Sequence, residues 1–278
     1  FNKKKMTKLR TILENIEYHW SQPHYNIFKS LYINFRCLPF NIARKLPIAI
    51  YGKCDFYWLK GKIRINGPIT KKMIKLGQNN EFMTGFSHSA FILLGKDSVL
   101  TFNGPCKFAN DYHIRLGNNA QLNIGAYTFF GGNIRIISTT NIKIGDYSRI
   151  AYDSQLVDSN FHFVYNSIKH QTAPFYKEII IGEYNWIGNK TSIMKGVKTK
   201  PHTIVASSSL LNKDYTKEEG DYPTLGGSPA KQLTHGLRRL FSHKHEALLL
   251  DFFHKNPQAA YYEGIFDINS DKEISNEF

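Results

Sequence analysis

Cysteine is scarce in this chain. Three occur in 278 residues, at Cys37, Cys54 and Cys106. The number is odd and the spacing wide, which excludes a disulfide framework and predicts reduced thiols in a cytoplasmic setting. Cys106 falls six residues after Leu100 and reads as a small core residue. No run of eighteen apolar residues exists, so no helix is expected to span a membrane. Acidic residues are also in deficit, 22 against 36 basic ones, for a formal charge of +14. Such an excess predicts anionic partners. The basic residues are spread out in short clusters such as Lys3-Lys4-Lys5 and Arg238-Arg239. Nucleic-acid binding, which concentrates them on one element with interleaved aromatics, is not expected. The first residue is Phe1, so a preceding leader is left open.

What is abundant is a repeat. The phrase apolar–any–apolar–glycine ends at Gly77, Gly95, Gly117, Gly125, Gly145 and Gly182, at intervals of 18, 22, 8, 20 and 37 residues. A fixed period means one structural unit stacked on copies of itself. Inside it runs a period of six: Ile124, Phe130, Ile136, Ile142; then Ile144, Ile150, Leu156; then Ile181, Ile187, Ile193, Thr199, Val205, Leu211. A helix would need spacings of three and four. Six fits a short strand and a corner, and three such sides close a coil of about 18 residues. Small residues follow many inward positions, among them Gly125, Gly145, Gly182 and Gly188, where the chain must turn or take positive φ.

These residues resemble the hexapeptide-repeat family. So does the segment Trp186-Ile187-Gly188 with Val205-Ala206-Ser207-Ser208-Ser209, Lys213-Asp214 and Gly227-Ser228-Pro229-Ala230-Lys231. It is similar to the closing coils of acetyl-CoA-dependent O-acetyltransferases acting on maltose, galactosides and capsular polysaccharides, over roughly residues 61–235. The resemblance implies an all-β fold, a left-handed parallel β-helix, with acetyl-CoA as co-substrate and no metal. It also implies a groove between subunits, hence a homotrimer. The expected acceptor is an acidic or neutral glycan.

Along the chain, residues 1–60 are expected to form a helical and extended segment, 61–214 the β-helix, and 215–278 a loop, helices and tail. Met6, Leu9, Ile12, Leu13, Ile16 and Trp20 make a helical stripe, read as a packing helix or, with the lysines at one end, a peripheral contact with the inner face of the membrane. Residues 25–60 read as extended and irregular. Leu233, Leu237, Leu240 and Phe241 predict one C-terminal helix; Leu248, Leu249, Phe252 and Phe253 predict a second, ended near Pro257. Residues 157–178 break the six-residue frame, and loops carried on rigid scaffolds often hold function.

The chemistry expected in that excursion centres on His162. Acyl transfer to a hydroxyl needs a base, and imidazole has the right pKa. The resemblance places the catalytic histidine 24 residues before the tryptophan of Trp-Ile-Gly, which is His162 here; His170 is the rival. Asp158, Asp153 or a backbone carbonyl would hold its other ring nitrogen. By the same resemblance Asn133 matches an acceptor-site asparagine, though a corner-building asparagine is an equal reading. Trp186 would wall the site, and the backbone N–H near Asn189 would stabilise the oxyanion. Ser207 and Ser208 match the pantetheine groove. Lys213 and Lys231 match phosphate positions or are solvated lysines. Thr234 stands where relatives are basic, so Arg238, Arg239 or His235 would have to compensate. Two rivals remain. A three-histidine zinc site would need a spacing that His113, His162, His170 and His202 do not provide. A non-catalytic scaffold or glycan-binding module would need none of these residues. An amino-sugar acceptor, giving N-acetylation, is the enzymatic alternative.

Overall fold

The computed structural model describes residues 22–78 and 90–267, together with Thr11. Successive strands fall on three faces in turn. The first face carries Ile48–Ile50, Ile74–Leu76, Cys106–Phe108, Thr128–Phe130, Arg149–Ile150, Trp186–Ile187, Ile204–Val205 and Thr224–Gly227. The second carries Asp55–Tyr57, Phe91–Leu94, His113–Leu116, Arg135–Ser138, Gln155–Val157, Ser192–Met194 and Leu210–Leu211. The third carries Lys62–Ile65, Val99–Phe102, Gln121–Ile124, Asn141–Ile144 and Ile179–Ile181, and single bridges extend it through Lys198 to Asp214. Every strand pairs in parallel with the one a coil away, in registers such as Phe91 on His113, Arg135 on Gln155 and Trp186 on Ile204. Parallel partners reached only after a full coil are the sheet form of a repeat.

The six-residue frame is the core. Phe130, Ile136, Ile142, Ile150, Leu156, Ile187, Ile193 and Leu211 are all completely buried, and Thr199 is 4% exposed. Thr199 is the polar member because its hydroxyl is used: it accepts from the Gly182 N–H at 3.0 Å and donates to Asn185 Oδ1 at 2.7 Å. Apart from Gly77, at φ 94°, the repeat glycines serve close approach rather than positive φ. A Cβ on Gly145 would lie 2.5 Å from the Glu183 nitrogen, and one on Gly182 would lie 2.6 Å from the Lys200 carbonyl carbon. Positive φ falls instead on later corner residues: Tyr127, Tyr147 and Tyr184 between the third and first faces, and Asn133, Asp153 and Lys190 between the first and second.

The stack begins earlier than the expected boundary at residue 61. Helix α1 (Ile27–Cys37) and the single turn α2 (Phe40–Ala43) precede the first strand, Ile48–Ile50. Residues 25–60 are therefore structured. Their helix escapes an apolar-stripe reading because its buried face, Ser30, Ile33, Asn34 and Cys37, is half polar. The Asn34 amide donates to the Ile48 carbonyl at 2.7 Å and accepts from the Ile48 N–H at 3.2 Å, and Ser30 Oγ accepts from the Ile50 N–H at 2.9 Å. The helix thus closes the open edge of the first face.

At the other end Thr224–Gly227 turns back antiparallel on Ala230–Thr234. This corrects the first expected C-terminal helix: Leu233 is in that strand, and Leu237 and Leu240 lie in irregular chain. Gly236, at φ 82°, follows. The second expected helix is present as α3 (His243–Lys255). Most of the stripe expected over residues 6–20 lies outside the described residues, as does the tail beyond residue 267.

Candidate active site

The excursion is an arm that leaves the edge between the second and third faces. It is closed at its base by Lys177 N–H donating to the Asp158 carbonyl at 2.9 Å and Asn160 N–H donating to the Phe175 carbonyl at 2.7 Å. Beyond these, Tyr165–Asn166 pairs antiparallel with Gln171–Thr172. His162 is exposed on the arm. His170 lies at the tip with its Nδ1 at 2.9 Å from the Tyr165 hydroxyl. The arm also shows apolar side chains to solvent: Phe163 is 67% and Ile168 88% exposed in the single chain.

Asp158 does not serve His162. Its carboxylate is fully buried. One oxygen accepts the Thr139 N–H at 2.7 Å and the Thr139 hydroxyl at 2.9 Å. The other accepts the Thr140 and Asn141 N–H groups at 2.8 and 3.0 Å, with the Ser138 and Thr140 hydroxyls at 3.0 and 3.1 Å. Six donors saturate a carboxylate's acceptor sites. Asp158 builds the corner from which the arm springs, which corrects its expected role as a partner for the histidine ring.

Asn133 stands on the edge between the first and second faces. Its φ is 55°, and its amide donates to Asp153 Oδ1 at 2.8 Å. Its own N–H donates to the Asn110 carbonyl at 2.9 Å. Asn133 and Asp153 therefore form a corner ladder, and Asp153 too is engaged away from His162. Two coils further up the same edge, Ser207 Oγ bonds Asn189 Oδ1 at 2.5 Å and the Ser208 N–H donates to the Asn189 carbonyl at 2.8 Å. Gly188 and Lys190 donate their N–H groups to neighbouring coils, to Val205 O at 2.8 Å and Tyr152 O at 3.1 Å, while among the described residues no such bond takes up the Asn189 N–H.

Trp186 projects outward from the first face and is 41% exposed. The Arg239 guanidinium stands 5.3 Å from the centre of its ring. This contact was not legible in the sequence, because Arg239 comes from the irregular chain that follows the hairpin. Arg149, one coil below Trp186 in register, is likewise unmarked by any spacing.

The phosphate candidates are differently placed. Lys213 pairs with Glu218 at 2.9 Å and lies over the Tyr215 ring, and the Glu218 carboxylate raises its ammonium above the ordinary value. Arg238 donates to the Phe266 carbonyl at 2.8 Å. Lys231 is exposed on the closing hairpin. The remaining histidines are dispersed: His113 packs on Phe91 in the second face and His202 stacks on Tyr184 at a corner. No described group of three histidine, cysteine or acidic side chains is close enough to hold a metal.

The structure thus brings Asn133 to Asp153 and Asn189 to Ser207 and Ser208, all on one edge. His162 springs from a different edge, and among the described residues no hydrogen bond or ring contact joins it to Asn133, Trp186 or Asn189.

No family model matches the chain. Part of it is similar to the galactoside O-acetyltransferase of Lactococcus lactis subsp. lactis (strain IL1403), 24% identical over 98 residues, which are 35% of this chain and 46% of that protein. It is also similar to a chloramphenicol acetyltransferase of Morganella morganii, 37% identical over 71 residues, 26% of this chain and 30% of that one. The chain spans less than half the length of these two relatives. Among solved structures, the polySia-specific acetyltransferase NeuO matches with a TM-score of 0.50 at 19% identity, covering 78% of this chain and 91% of that chain. The fold is therefore shared with an acetyltransferase, and the likenesses found are to acetyltransferases, as the hexapeptide frame and Trp186-Ile187-Gly188 implied.

Proposed function

We propose that this protein is an O-acetyltransferase that moves an acetyl group from acetyl-CoA to a sugar hydroxyl of a bacterial surface polysaccharide or its precursor. The carrying observation is His162: an exposed imidazole on an arm outside the repeat frame, with no hydrogen bond to any described residue. A ring so placed has both nitrogens available to an acceptor and to a second copy of the chain. The named relatives are acetyltransferases of a galactoside, chloramphenicol and polysialic acid, so acetyl transfer is common to them and the acceptor differs.

In this reading the stack is the left-handed β-helix of the family. The chain's own groups divide the work. His162 takes the proton from the attacking hydroxyl, which is a poor nucleophile until it loses it. Asn189 offers its uncommitted N–H to the oxyanion. Trp186 walls the site. The residues present fit acetyl-CoA in part: the Asn189–Ser207–Ser208 edge presents exposed backbone to a pantetheine arm, and Lys231 is exposed for phosphate. Lys213 would first have to leave Glu218. The bound thioester supplies an activated acetyl group and a thiol leaving group.

Because His162 and the Asn189 edge lie on different prism edges, a complete site calls for a neighbouring copy. We therefore propose a homotrimer with three sites between subunits, its arms covering their exposed Phe163 and Ile168. Anionic glycan assembly at the inner face of the membrane suits the +14 charge. Thiol release from acetyl-CoA, measured over a panel of purified polysaccharides, tests the proposal; no acceptor-dependent release with any of them would overturn it.

A further inference from the structure

The first face carries an outward column that the frame of core residues leaves unexplained. Strand register aligns Lys75, Lys107, Phe129, Arg149 and Trp186 on successive coils. Coils hydrogen-bond at about 4.8 Å spacing, so this basic and aromatic column runs about 19 Å. At its upper end, a second arginine arrives from outside the repeat. The Arg239 guanidinium lies 5.3 Å from the Trp186 ring centre and 5.1 Å from that of Phe241. Phe241 is 3% exposed, and the Arg149 guanidinium stands 6.0 Å from the same ring. Phe241 is thus shared by two cations.

Arg239 is half-buried, yet among the described residues its contacts are these two aromatic rings, with neither a hydrogen bond nor an ion pair. A guanidinium has five N–H donors in a rigid fork. Holding it against ring faces fixes its position and leaves that fork available to an anion. A carboxylate fits the fork in bidentate fashion. The Trp186 face beside it offers an apolar platform for the C–H face of a sugar ring. Further down the column the half-buried Lys107 and Lys75 extend the positive field, while Arg149, 7% exposed, underpins the top of it.

We infer that Arg239, held on Trp186, is an acceptor-recognition residue that takes the carboxylate of an acidic sugar polymer laid along the first face. This rests on the proposed function for its catalytic meaning, and narrows the acceptor from glycans in general to carboxylated ones. Binding tests it independently of turnover. Polysialic acid and its carboxyl-reduced form are titrated into the full chain, following heat and tryptophan fluorescence, with acetyl-CoA as a third titrant. The parent should bind the carboxylated polymer more tightly than the reduced one. Arg239→Gln should weaken the carboxylated polymer by about 10- to 100-fold, the range of lost charge-assisted hydrogen bonds. It should leave the reduced polymer and acetyl-CoA within about twofold. Arg239→Lys should retain part of the preference, since it keeps charge and loses the fork. Equal affinity of the parent for both polymers would overturn the inference. So would a loss in Arg239→Gln confined to acetyl-CoA, which would make the residue a phosphate contact. An unchanged thermal midpoint in Arg239→Gln separates either result from misfolding. If the parent transfers acetyl groups but Arg239→Gln keeps full preference for the acid, this inference falls and the proposed function stands. If the parent binds the acid through Arg239 and transfers nothing, the reverse holds.

Discussion

Asp158 reaches back across a corner to Thr140, accepting its N–H at 2.8 Å and its hydroxyl at 3.1 Å through a single carboxylate oxygen. The pair ties the root of the arm to the coil below. With four further donors on the same carboxylate, the bond network is a structural joint in a fully buried place, where each lost partner leaves an unsatisfied donor.

Asp158→Ala should therefore lower stability by roughly 3 kcal/mol or more, as loss of buried, charge-assisted bonds does. Asp158→Asn should cost less, since the amide keeps one acceptor oxygen. None of these bonds reaches His162, so Asp158→Asn should leave the shape of the pH–rate profile as it is in the parent. Thermal unfolding and a pH–rate profile check the two halves. A displaced pH–rate profile at unchanged stability would restore a pairing between the aspartate and the ring.

The two lysines should part company. Both lysines are exposed, but Lys213 is paired with Glu218 and Lys231 has no ion pair among the described residues. Lys231→Glu should raise the acetyl-CoA KM more than it lowers kcat, the mark of lost ground-state binding. Lys213→Glu should raise it less. The opposite ranking, measured in initial-rate kinetics at low salt, would return Lys213 to the phosphate site.

Alkali should loosen the fold through the thiols. Burial pushes Cys37 up to about 11 and Cys54 up to about 12, and Cys106 higher still. A thiol whose folded pKa is raised binds its proton more tightly in the native state. Its contribution is whole below the ordinary thiol value of about 8.5 and is lost as pH rises towards 11 to 12. Urea midpoints should fall across that window, and replacing Cys54 by Ala should blunt the fall. Native protein at pH 8 should show no thiol reactive to a disulfide reagent, and denatured protein three. Rapid labelling of the native chain would contradict the burial.

Much of the fold is legible in the sequence because a stacked coil repeats its demands. Phe130, Ile136 and Ile142 face the same interior, as do Ile181, Ile187 and Ile193, so a spacing of six survives as a period. Even Thr199 stays readable as a frame position, its hydroxyl absorbed by Gly182 and Asn185. The ends of the stack have no such repetition. Ser30 and Asn34 turn a polar helix face to the sheet edge, which a search for apolar stripes passes over. Leu233 has helical spacing to Leu237, yet the antiparallel pairing of Gly227 with Ala230 claims that stretch for a strand. At the site, the arm is visible as a broken period, and His162 as its imidazole. What Asp158 bonds, and what Arg239 rests on, depend on chain folded back from other coils, and no local spacing encodes that.

The central claim is that His162 is the general base. The most direct measurement is the acceptor-dependent release of thiol from acetyl-CoA by the parent, His162→Ala and His170→Ala, over a range of pH. His162→Ala should stay folded and lose roughly 10²- to 10⁴-fold in kcat. The parent rate should rise with pH and His162→Ala should lose that rise, because only a neutral ring accepts a proton. His170→Ala, which removes a ring bonded to Tyr165, should cost far less. A fully active His162→Ala beside an inactive His170→Ala would contradict the account.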